Sequence, residues 1–131
     1  MTMNYLAIIV AALSAFMIGG LWYSPLLFLK IWNKASAKNP ETGEGRHPIK
    51  VFGFSFLFSL IAAIALSYLL GPQPILAEAI KTSLLVGTCC IATSFGINYQ
   101  FSNKSMLLWL IDAGYHCVQF LTMGLIFGLW H

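Results

Sequence analysis

Four apolar stretches, over roughly 5–23, 49–70, 75–97 and 106–130, dominate this 131-residue sequence. Each is near the about 20 residues that a helix needs to cross a hydrocarbon layer. Backbone amides inside a bilayer must be satisfied by the chain itself, so a single span is helical. A transmembrane barrel would show alternating segments of about ten residues, and the sequence has no such pattern. The chain is 59% hydrophobic and 8% charged, against about 25% charged in soluble domains. The expected fold is therefore all-α: a four-helix transmembrane bundle occupying residues 1–131 as a single domain. Met1-Thr-Met-Asn4 lacks a positive n-region, so the first stretch reads as a span rather than a signal peptide. The net charge of +3 belongs to loops and implies no nucleic acid.

Lysine and arginine orient the bundle. Lys30, Lys34, Lys38, Arg46 and Lys50 lie between the first two spans or at their edge, and Lys104 lies between the last two. Lys81 alone falls on the other side. That asymmetry places both basic loops in the cytoplasm and both termini outside. Tyr5, Tyr68 and Trp130 at one level, and Trp22, Tyr23, Tyr99 and Trp109 at the other, fit two aromatic belts.

After the first span, Ser24-Pro25 has the form of an N-cap followed by proline at the first helical position, which predicts a helix over 25–38. Lys30, Lys34 and Lys38 form one basic stripe on it, with Phe28, Ile31, Trp32 and Ala35 opposite. The pattern suits a helix in the inner headgroup layer, its lysines facing the anionic surface of the lipid bilayer, or a face that docks a partner membrane protein. Residues 39–48 read as a short turn.

Small residues recur at Ala7, Ala11, Ala15 and Gly19 in the first span, and at Gly124 and Gly128 in the fourth. Such stripes let helix backbones approach closely, within one chain or between copies in a homo-oligomer.

The fourth span also carries Asp112, His116 and Gln119. An ionisable group at mid-membrane costs at least about 2.5 kcal/mol, so it needs a use. Helical geometry puts the three within about 60° of one another, on a face opposite the glycines. An aspartate one turn from a histidine can share or pass a proton near neutral pH. The polar face reads as part of a small channel, transporter or transporter subunit. One alternative is a structural or accessory subunit in which the same groups only fix helix packing, bonding to Ser55, Ser59, Ser83, Thr88 or Thr93. A second is a metal, haem or quinone site. For it, Cys89, Cys90, Cys117 and His116 supply candidate ligands without paired spacing, and no cofactor is specified. No nucleophile elbow or phosphate-cradling glycine loop points to an enzyme.

Gly20-Leu-Trp-Tyr-Ser-Pro-Leu-Leu-Phe28, the nearby Trp32, and Asp112-Ala-Gly-Tyr-His116 followed by Met123-Gly124 resemble the bacterial membrane proteins grouped as domain of unknown function 1761. The resemblance runs over almost the whole chain. It implies a small four-helix protein of the bacterial inner membrane and marks Trp22, Tyr23, Ser24, Pro25, Tyr115 and His116, without giving them roles. On the expected topology both motifs occupy the cytoplasmic half. Trp22, Tyr23, Ser24 and Tyr115 are then expected to join Asp112 in one composite site, with Tyr23 or Ser24 bonding to the carboxylate.

Overall fold

Asn4 opens the first helix by accepting the Ala7 amide on its side chain at 3.1 Å, which satisfies one of the donors a helix start leaves free. In the computed structural model, which describes residues 4–36 and 48–130, α1 then runs Tyr5–Trp22. It is followed by α2 (Leu29–Ser36), α3 (Pro48–Leu70) and α4 (Leu76–Leu84). A π-helical stretch over Leu85–Ala92 leads into α5 (Thr93–Phe101), and α6 (Met106–Leu129) completes the order. Four helical lengths are long and apolar enough to cross a membrane: Tyr5–Trp22, Ile49–Leu70, Leu76–Phe101 and Met106–Leu129. The third continues past the expected end at 97.

The helix expected over 25–38 begins later, at Leu29. Ser24 does not cap it: its hydroxyl donates back to Leu21 O at 2.7 Å. The Ser24 carbonyl accepts from both Leu27 and Leu29 amides, and Phe28 N returns to Trp22 O at 3.1 Å. These bonds wind residues 23–28 into tight turns that fold the chain back. Lys30 and Lys34 are exposed on α2, whereas Lys38 and Arg46 lie outside the described residues. So does the expected 39–48 turn, except for Pro48, which opens α3.

Gly71 closes α3 at φ +84, a conformation that costs glycine nothing. Asn103, also at positive φ, turns the chain from α5 to α6. There Ser105 Oγ accepts the Leu108 amide at 3.1 Å.

Helix α6 is the hub. In its most apolar window 44% of residues are buried, against 17–28% in the other three spans, and it packs on α1, α2, α3, α4, α5 and the π-helical stretch. Both small-residue faces are used inside the chain. Ala7, Ala11 and Ala15 are fully buried, and Gly19 backs onto the Tyr115 ring. Gly124 and Gly128 lie against Ser83, Ala79 and Leu76 of α4. The stripes therefore give no support to packing between copies, because their partners are intramolecular. Toward the end that carries both termini, Ala7, Ile8, Ala11, Ala12, Ala63, Leu66, Met123 and Phe127 form an apolar core. The bundle's outer surface is apolar too, with Leu6, Met17, Phe52, Phe58, Tyr68 and Ile97 among its exposed side chains.

No local sequence pattern announces the π-helical stretch. Thr88 Oγ1 donates to Leu84 O at 2.5 Å and Thr93 Oγ1 to Cys89 O at 2.7 Å. Hydroxyls bonded to the preceding turn compete for carbonyls and loosen the α ladder. Two neighbours use what the wider helix offers: Cys117 Sγ reaches Gly87 O at 3.7 Å, and Trp109 Nε1 donates to Ala92 O at 2.8 Å.

Candidate functional site

Asp112 is 7% exposed, and three ring donors from three other elements converge on its carboxylate. Tyr23, just past α1, donates its hydroxyl to Oδ1 at 2.6 Å. Trp32 of α2 donates Nε1 to the same oxygen at 2.9 Å. Tyr99 of α5 donates its hydroxyl to Oδ2. One carboxylate thus ties α1, α2 and α5 to α6. Burial pushes the Tyr23 phenol far above its ordinary range, and the bond to Asp112 pushes it further, so it remains a donor at any physiological pH. Lys104 Nζ lies 5.1 Å above the Tyr99 ring, a cation–π contact on the lysine-bearing side of the knot.

The two sequence motifs interlock. Trp22 donates Nε1 to Ile111 O at 2.9 Å, and its ring lies where a Gly114 Cβ would come within 3.1 Å of Cζ2. In the reverse direction, Tyr115 donates to Ala15 O at 2.9 Å and packs over Gly19, where a Cβ would meet its hydroxyl at 3.0 Å. Gly114 of the second motif thus lies under the Trp22 ring of the first, and Gly19, just ahead of the first motif, lies under the Tyr115 ring of the second. Ser24, bonded to Leu21 O, takes no part, which corrects the expectation that it helps hold Asp112.

Asp112 and His116 do not act as a pair. The carboxylate's oxygens are occupied by the three rings, and His116 Nδ1 lies 3.0 Å from Gln119 Oε1 instead. Side chains on a helix lean toward its N-terminus, which aims Asp112 at Tyr23, Trp32 and Tyr99. The expected single polar face is therefore two sites. Phe95 stacks on the His116 ring, with centroids 4.8 Å apart and planes at 21°. His116, Gln119 and Tyr115 line one wall of a cleft of about 510 Å³. Ser55, Phe58, Ser59 and Ala62 of α3 form the facing wall.

Of the groups considered as bonding partners for the polar face, Thr88 and Thr93 bond within their own helix. Ser83 Oγ is buried without a partner. Among the described residues no three His, Cys, Asp or Glu side chains gather as metal ligands would. Cys89 and Cys90 are exposed, and Cys117 turns to the Gly87 carbonyl. Trp32 and Tyr99, which read in the sequence as an apolar helix face and a belt residue, are the site residues that the sequence reading missed. Their one signal was a polar atom on an aromatic ring near the level of Asp112.

A chain with four helical lengths long and apolar enough to cross a membrane, knotted at the lysine-bearing end by one buried carboxylate, is what the fold and the site define. The family model described as "Protein of unknown function (DUF1761)" matches residues 6–128. The chain belongs to that family. No curated protein and no solved structure matches it.

Proposed function

We propose that this chain is a multi-pass protein of the bacterial inner membrane, N-out and C-out, that works as a transporter or transporter subunit for a small solute. The observation that carries the reading is the division of labour on α6. The hydrogen-bonding capacity of Asp112 is spent on architecture, while His116 and Gln119 face open volume. A second face-filling lipid or solute is the natural occupant of a cleft that combines aromatic walls with a few convergent polar groups. The apolar core at the termini end favours a carrier over an open channel, because a continuous polar path within the chain would have to pass through it. The apolar outer surface supports membrane residence. Lys30 and Lys34 then face anionic headgroups. A homo-oligomer or partner membrane protein would meet the exposed faces of α3 and the third span, since the small-residue faces are occupied.

Purified chain in liposomes should carry a proton flux between about pH 5.5 and 8, where histidine titrates, and His116→Ala should abolish most of it without lowering thermal stability. The rival reading is a scaffold, favoured by the threefold satisfaction of Asp112. Wild-type liposomes that pass no protons, with Asp112→Asn changing stability alone, would select it.

Orientation has its own check. In a cysteine-free background, a cysteine at Ser102 should react with an impermeant maleimide only after the cells are permeabilised, and one at Gln73 should react in intact cells. The reverse pattern would overturn the N-out assignment.

A further inference from the structure

We propose that the cleft between α3 and α6 binds the ring headgroup of a quinone-class lipid, an inference that rests on the reading of this cleft as the solute site. Four observations converge on that chemistry. The cleft's described lining holds no Lys, Arg, Asp or Glu, so a phosphate, carboxylate or ammonium headgroup would enter unpaired at a prohibitive cost. The ligand is neutral.

The polar groups of the cleft come from two helices. His116 and Gln119 project from α6, and Ser55 and Ser59, one turn apart, project from α3. Gln119 Oε1 lies 3.0 Å from His116 Nδ1; an imidazole protonated at Nδ1 donates to that oxygen and leaves Nε2 its lone pair. Among the described residues Nε2 has no partner. His116 of α6 therefore offers an acceptor to a ligand, and a serine hydroxyl of α3 offers a donor. A ring bearing oxygens at opposite edges suits both, a quinol donating a hydrogen bond from its hydroxyl to His116 and a quinone accepting one from a serine.

The walls between are flat and apolar, with Phe58, Phe95 and Phe120 among them, as ring stacking requires. The volume of about 510 Å³ falls within the about 300–1,000 Å³ usual for small-molecule sites. A second cavity of about 400 Å³ shares Tyr23, Ser55, Ser59 and Tyr115 with the first and extends along Phe16, Val51 and Phe52. It provides an apolar continuation for the substituents of the ring.

The test uses the full chain in nanodiscs with ¹⁵N-labelled histidine and three probes: a decyl-substituted benzoquinol, the matching benzoquinone, and decylbenzene, which has the chain and ring but no oxygens. The quinol should bind saturably and move the His116 Nε2 resonance. His116→Phe should weaken it by up to about tenfold, the net worth of one hydrogen bond, and His116→Gln, which restores an acceptor, should recover part of the loss. Ser55→Ala with Ser59→Ala should weaken the quinone more than the quinol. Cys89→Ala should change nothing. Decylbenzene binding as tightly as the quinol would overturn the ligand class while leaving the cleft as a binding site. Failure of all three probes to saturate a folded protein would remove the cleft reading as well. Quinol binding that is indifferent to both His116 variants would also reject the assignment.

Discussion

Asp112→Leu is expected to destabilise the fold by about 3 kcal/mol, as the balance of two opposing terms. Leucine leaves the donors of Tyr23, Trp32 and Tyr99 facing a hydrocarbon side chain, and each buried orphan costs about 1–3 kcal/mol. On the reading of α6 as a membrane span, removing an ionisable group from it returns about 2.5–3.5 kcal/mol. Asp112 lies toward the lysine-bearing end rather than at the centre, so the return is at the low end and the three orphans win. Thermal melting in detergent measures the net loss.

Asp112→Asn should cost much less. Its carbonyl oxygen keeps an acceptor for Trp32, whose indole can only donate, and a tyrosine hydroxyl can rotate to accept from the new amide. Tyr23→Phe, Trp32→Phe and Tyr99→Phe should each cost roughly 0.6–1.7 kcal/mol, the span measured for interhelical hydrogen bonds in membranes. Trp32→Phe should also speed amide exchange throughout α2, because Trp32 is that helix's tie to Asp112. If Asp112→Leu melts with wild type while the three ring variants do not, the knot is not what holds α1, α2 and α5 to α6.

The parts of this architecture visible in the sequence are those governed by local pattern. Runs of about 20 apolar residues announced the four spans because span length is a property of contiguous sequence. Asn4 and Ser105 cap their helices for equally local reasons, although neither was singled out from the sequence. The site was legible only as a cost: an aspartate in an apolar helix must have partners, but their identity is a tertiary fact. Tyr23 and Trp32 reach Asp112 from 89 and 80 positions away, and Tyr99 from 13, across the turn at Asn103. Helical spacing put Asp112 and His116 on one face correctly, yet spacing says nothing about which way a side chain leans. The π-helical stretch escaped because its eight residues, Leu85–Ala92, have no amphipathic period to betray a change of helix type. Ser24-Pro25 misled for a different reason. A serine before a proline suits a helix start, but the same hydroxyl can close the preceding helix, and here it does.

Gly124→Ala should be at least as damaging as Asp112→Leu, although it adds a single methyl group. A Cβ at position 124 would lie 2.1 Å from Ser83 Oγ, 2.7 Å from Ser83 Cβ and 2.9 Å from Ala79 O. The hydroxyl alone could rotate aside, but the Ser83 Cβ and the Ala79 carbonyl belong to the backbone framework of α4, so the whole helix has to retreat from α6. Overpacking of this kind typically costs about 1–3 kcal/mol and sometimes more, and displacing a helix along its length belongs at the upper end. The gain in helix propensity from glycine to alanine is at most about 1 kcal/mol and does not compensate. Gly20→Ala supplies the control, because nothing lies within 4 Å of a Cβ there; it should be neutral or slightly stabilising. Ser83→Gly in the Gly124→Ala background removes two of the three clashes and should recover most of the loss, a coupling that a double-mutant cycle isolates. The same series decides where this glycine face acts. Loss of melting temperature at constant mass places it between α4 and α6 of one chain, as the contacts require. A change in assembly mass with melting unaffected would instead assign the face to an interface between copies.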